Sequence, residues 1–96
     1  MRLVWAQYAL DDRDAIFTYI ESENPNAAVH VDEEIARRSA PPRFPRKRQA
    51  WRVEGTRELV ITRTPYIVAY MLMADRIRIL GILHGAQIWP SQFGDQ

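Results

Sequence analysis

The sequence predicts an α+β fold: a two-helix hairpin packed on a small, mainly antiparallel, twisted β-sheet, in the order β-α-α-β-β-β. Three observations predict it. The run from Arg76 to His84 opens as a strand, with Arg76 and Arg78 on one face and Ile77 and Ile79 on the other. Two further apolar runs, Arg57 to Thr62 and Tyr66 to Met73, precede it at strand length. The segment from Tyr8 to Ile35 instead repeats its apolar residues at helical spacing.

The elements follow in order. Arg2 to Ala6 is short, apolar and aromatic, and reads as a first strand. Tyr8, Asp12, Ile16, Tyr19 and Ile20 then fall on one helical stripe, with Asp11 and Asp14 early enough to place acids near the positive end of the helix dipole. Asn24-Pro25 ends that helix, because proline disfavours helical geometry in the residue before it and is welcome at a first helical position. A second helix from Pro25 puts Ala28, Val31 and Ile35 on one face. After Pro65 the strand is apolar on both faces, as a central strand should be, and Ala74-Asp75 is a tight turn into the Arg76 strand. From Leu80 onward both faces turn apolar, until His84-Gly85 ends the strand with an ionisable ring. Residues 88–96 hold Pro90 and Gly94, show no period and read as an irregular tail.

Ninety-six residues allow one domain, 1–96, with a thin core. A chain of this size buries only roughly 60–65% of its unfolded surface, so a partner would add needed stability. There is no cysteine, which excludes disulfides and thiolate metal sites, and His30 and His84 stand far apart. No metal or cofactor is expected. No run reaches a membrane span and no leader-like segment opens the chain, so a cytoplasmic protein is expected.

The net charge of +1 hides a sorted distribution. Residues 1–36 carry Arg2 and Arg13 against eight acids, a balance of −6. Residues 37–63 carry nine basic residues against Glu54 and Glu58, a balance of +7, and residues 64–96 balance to zero. A basic centre alone would suggest a nucleic-acid-binding module, whose affinity would fall steeply with salt.

The succession Arg57-Glu58-Leu59-Val60, Pro65-Tyr66-Ile67-Val68-Ala69-Tyr70 and Arg76 to Ala86 resembles the RelE/ParE superfamily, the toxins of bacterial type II toxin–antitoxin (plasmid stabilisation) modules. Asn24-Pro25 with Ala27-Ala28, and the Leu83-His84-Gly85-Ala86 ending, are more similar to the ParE branch. That resemblance implies a poison of DNA gyrase with no catalytic residues of its own. It also implies a cognate antitoxin whose disordered segment folds on the toxin, as a hetero-oligomer, with a homodimer as a further arrangement. Trp5, Tyr8, Arg76, Arg78, Trp89 and Phe93 are the candidate partner-binding residues. The RelE branch implies instead a ribosome-dependent cutter of messenger RNA. In that alternative His84 would be an acid or base, and Arg57 and Arg63, with Arg76 and Arg78, would stabilise the transition state. Against it, Ile67 stands where RelE-like enzymes tend to carry an arginine, Gln87 stands where they carry a basic residue, and the tail has no tyrosine. A degenerate, non-toxic relative is a third reading.

Residues 37–52 depart from the pattern: three prolines, seven cations and no period. Related sequences continue the helix here and then pass through a Pro-Gly-rich loop. The codons for Arg38 to Trp51, read one base later, permit Val-Arg-Arg-Leu-Leu-Asp-Phe-Pro-Glu-Ser-Gly-Arg-Pro-Gly, a helix end followed by such a loop. The stretch therefore reads as displaced from the frame of its relatives, with the frame restored near Arg52. Lys47, the chain's only lysine, lies inside it. On that reading much of the +7 patch reflects the frame and says little about nucleic-acid binding.

Overall fold

The computed structural model describes residues 2–40 and 56–85. Six elements follow in order: β1 (Arg2–Trp5), α1 (Gln7–Glu21), α2 (Pro25–Arg38), β2 (Arg57–Val60), β3 (Tyr66–Leu72) and β4 (Arg76–His84). They form one four-stranded sheet in the order β1-β4-β3-β2, in which β1 runs parallel to β4 and the other pairings are antiparallel. The expected β-α-α-β-β-β order and the mainly antiparallel sheet are both present. Among the described residues no helix is long and apolar enough to cross a membrane.

Chain entry into α1 differs from expectation. Ala6 is not a strand residue but the helix N-cap, with extended backbone and no capping side chain. It is buried, its N–H reaches Ile79 O at 2.9 Å, and its carbonyl accepts from Leu10 N at 3.1 Å. A small apolar residue therefore serves sheet and helix at once, where a polar cap would have to be buried. Because the helix starts at Gln7, its first turn holds no acid, and Asp11 and Asp14 fall further along. The expected stripe is present in part: Ile16 and Ile20 pack against the core and Asp12 is half-buried, but the two tyrosines turn outward. Ala9 is fully buried, whereas Tyr8 and Tyr19 are 40% and 74% exposed.

At Asn24-Pro25 the expected break is present, and the structure adds a side-chain cap. The Asn24 side-chain Oδ1 accepts from Ala27 N at 3.0 Å, satisfying one of the open donors of the first turn, and Pro25 occupies the first helical position. The α2 stripe buries Ala28 and Ile35, with Val31 partly buried beside them. Arg37 and Arg38 lie in the last turn, where cations suit the helix dipole, and both pair with Glu34, at 2.7 and 3.2 Å. Ser39 caps the helix and Ala40 follows. The remainder of the 37–52 stretch lies outside the described residues.

The strands end slightly earlier than their apolar runs. β2 stops at Val60, because Ile61 opens a tight turn in which Thr64 N donates to Ile61 O at 3.1 Å. Arg63, at the third turn position, has φ 71°, a left-handed conformation that glycine adopts more readily. β3 stops at Leu72, and Met73 N bonds Arg76 O at 2.8 Å across the expected Ala74-Asp75 turn.

A bulge breaks the alternation of β4. Tyr70 is paired with Ile79 and Ala69 with Gly81, so Leu80 is the extra residue. Unbroken alternation would set Ile77, Ile79, Gly81 and Leu83 on one face. The register instead places Ile77, Ile79, Ile82 and His84 on the face of Leu72, Tyr70, Val68 and Tyr66. This face carries the main core, where Val68, Tyr70, Ile77, Ile79 and Ile82 pack with Ala9 of α1 and Ile35 of α2. Ala69, Leu80 and Leu83, with Met71 against them, form a second cluster on the opposite face.

Candidate functional site

Three regions hold the side chains that the sequence singles out. The first is the junction of β1 with the helical hairpin. Trp5 lies on the core-facing side of β1, level with Ile79, and packs against the core. The Arg13 guanidinium sits over its ring, 5.1 Å from the centroid. The same guanidinium grips Asp32 of α2 with two hydrogen bonds, Nε to Oδ1 at 2.8 Å and Nη2 to Oδ2 at 3.1 Å. Arg13 thus ties both helices to the first strand, combining a bidentate ion pair with a planar stack that lysine would not reproduce. Tyr8, one turn before Asp12, stays on the surface. With Ala15 and Tyr19 it forms an exposed ridge along α1.

The second region lies beneath that ridge. β1 ends level with Ile79, whereas β4 runs on to His84. Past that point the β1-facing side of β4 lacks a strand partner among the described residues, and Asp12 fills part of the gap. Its Oδ2 accepts from Ile82 N at 2.9 Å, joining residues seventy positions apart. Burial raises the Asp12 pKa above its ordinary 3.8, with the neighbouring Asp11 adding to the rise and the Ile82 N–H opposing it. Helical spacing sets Asp12 on one stripe with Ile16 and Ile20 but cannot supply this partner, because only the tertiary fold brings the two together.

The third region is the end of the sheet where β4 stops. His84 is exposed and meets Tyr66 edge-to-face, with ring centroids 5.7 Å apart. Burial raises the pKa of Tyr66, and the nearby Tyr19 adds to the rise. The turn bearing Arg63 lies at this same end, since Gly85 N bonds Pro65 O at 2.8 Å. Arg57 does not. It is level with Tyr70, four residues along from the Tyr66–His84 pair and two strands across, about 16 Å away by strand geometry.

Arg76 and Arg78 occupy the other face of the sheet. Arg78 is level with Met71 and Val4, and Arg76 with Arg2. Arg76 Nε points to Met73 Sδ at 3.4 Å. The bulge at Leu80 thus separates these two arginines from His84. Trp89 and Phe93, with the tail from 88 to 96, lie outside the described residues.

A helical hairpin on the helix-facing side of a mixed four-stranded sheet, joined to it through Ala6 and Asp12, defines the class, and the comparisons give it a family. Residues 3–89 match the ParE toxin of the type II toxin–antitoxin system, parDE. The chain belongs to this family. It is 37% identical over 90 residues to the "Putative toxin Y4kP" of Sinorhizobium fredii, with 93% of each chain covered. The fold is similar to a chain of the structure described as the chromosomal ParDE TA system from P. aeruginosa. The TM-score is 0.74 at 25% identity, covering 88% of this chain and 95% of that one.

Proposed function

We propose that this ParE-family toxin acts by binding DNA gyrase and is neutralised by a cognate antitoxin, both in the cytoplasm. The observation that carries this reading over RNA cleavage is the placing of the basic residues. Acid–base cleavage of a phosphodiester needs its groups within hydrogen-bond reach of one reacting phosphate. Of the residues considered for that chemistry, only Arg63 shares an end of the sheet with His84, while Arg57 is about 16 Å off and Arg76 and Arg78 are on the other face. A poison that works by binding needs only a shaped surface.

The antitoxin docks, on this reading, through a segment that orders itself against the exposed α1 ridge of Tyr8 and Tyr19 and the sheet face bearing Arg76 and Arg78. A partner of that kind offsets its ordering cost by burying apolar surface. The ParDE relative in P. aeruginosa supports the expectation of such a partner.

The test is DNA supercoiling by purified gyrase, with this protein added alone and then with excess antitoxin. Inhibition with trapped DNA breaks, reversed by the antitoxin, is the expected result. If folded protein leaves supercoiling untouched but cuts messenger RNA on ribosomes, and His84→Ala abolishes the cutting, the enzymatic reading replaces this one. If it binds antitoxin and does neither, this copy is a non-toxic relative.

A further inference from the structure

We propose that this chain carries a paired frame displacement, one base gained near Arg38 and one lost near Arg52, which cuts short the buried stripe of α2 and leaves this copy less stable than an in-frame version. The inference starts from the described part of α2. Its buried side runs through Ala28 and Ile35, with Val31 packed beside them, to the polar cap Ser39, which is as inaccessible as Ala28 and Ile35. Spacings of three, four and then three and four again place the next two positions of that stripe at 38 and 42. In this chain those positions hold Arg38 and Pro42. Arg38 turns its guanidinium to Glu34, at 3.2 Å, rather than extending the apolar side.

Read one base later, the same codons permit valine in place of Arg38 and leucine in place of Pro42, which resume the apolar stripe, while Ser39, buried in this chain, gives way to arginine. The shifted reading then passes to Phe-Pro-Glu-Ser-Gly-Arg-Pro-Gly, in which proline and glycine end a helix and turn the chain. Its last residue is forced: tryptophan has the single codon TGG, so Trp51 read one base later gives glycine whatever follows. Composition agrees with a local origin. The only lysine and three of the six prolines fall inside this short stretch, as do most of the cations that make the centre of the chain basic.

The displacement conserves length, which explains how the strands on its far side keep both their pattern and their pairing. Its cost is concentrated at the end of the hairpin, where two apolar side chains would otherwise join the core.

The experiment has two arms, and neither depends on what the toxin acts on. The first is the nucleotide sequence of the gene across these codons. It is expected to spell the shifted peptide without a stop codon, and a base sequence that cannot encode both apolar residues overturns the proposal. The second arm compares this chain with a version carrying the shifted peptide from 38 to 51, by thermal unfolding. Two more buried apolar side chains are expected to raise Tm by about 8 °C or more. Arg38→Val alone, which leaves the prolines in place, should recover only part of that rise. If the full replacement leaves Tm unchanged or lowers it, the stretch is a native part of this chain.

Discussion

Replacing Asp12 separates two roles that one carboxylate combines. Its Oδ2 is the acceptor for Ile82 N, on a residue only 4% exposed, and it stands where β1 has already ended. Asp12→Ala removes the acceptor and leaves a buried strand amide unpaired. The cost of such an orphan is about 1–3 kcal/mol, which in a domain of this size lowers Tm by roughly 4–8 °C for each kcal/mol. Asp12→Asn keeps a carbonyl oxygen in place and removes the charge. Burial raises the Asp12 pKa, so the folded chain holds this proton more tightly than the unfolded chain does. The stability that follows from this is complete below pH 3.8, the unfolded value, and is lost as pH rises through the higher folded value. The asparagine variant has no such loss. It should match the parent in acid at most and gain on it steadily as pH rises towards neutrality. Urea unfolding followed by tryptophan fluorescence at several pH values between 3 and 7 measures both effects. If Asp12→Asn proves as damaging as Asp12→Ala, the carboxylate is not acting as a simple acceptor. If the gap between parent and Asp12→Asn does not widen with pH, burial of the charge is not a cost.

Three further substitutions test other joints of the fold. Asn24→Ala removes the cap on Ala27 N and should cost about 1 kcal/mol, read as a drop in Tm, while Asn24→Ser should restore most of it. Arg13→Lys loses the two-point grip on Asp32 and the stack on Trp5, and should cost about 1 kcal/mol in denaturant unfolding. A double-mutant cycle with Asp32→Asn that shows no coupling would refute the joint role. Arg63→Gly relieves a left-handed backbone and should stabilise by about 0.5–1 kcal/mol, the relief exceeding the added freedom of the unfolded chain; a lower Tm would show that the turn needs the arginine side chain.

Local chemistry carried most of the architecture into the sequence. Strand periods marked β2, β3 and β4, and Asn24-Pro25 marked the hairpin, because each signal acts within a few residues of itself. The errors arose where distant parts of the chain meet. The start of α1 departs from the local pattern because Ala6 caps the helix while bonding Ile79, a contact no local pattern encodes. The face of His84 depends on the extra residue at Leu80; Gly81 beside it is the kind of strand glycine that marks a bulge, but it does not say how the pairing across the sheet shifts. Asp12 looked like one member of an apolar stripe, and its role as acceptor for β4 needs the sheet already built. Of the candidate partner residues, Arg76 and Arg78 share a face by simple strand alternation, whereas setting Trp5 inward on the core and Tyr8 outward on α1 needs the packed fold.

The parallel pairing of β1 with β4 orders events during synthesis. Arg2 is level with Arg76 and Trp5 with Ile79, so the first strand made has no partner until more than seventy residues have followed it. The α1–α2 hairpin relies on short-range contacts and can form early, but it then waits with its apolar side uncovered. A nascent chain that stops before Arg76 lacks the strand that lies between β1 and β3, and so has no way to close its sheet. Premature release at any point upstream therefore yields fragments that proteases can clear, and a toxin fold exists only once translation of the described strands is complete.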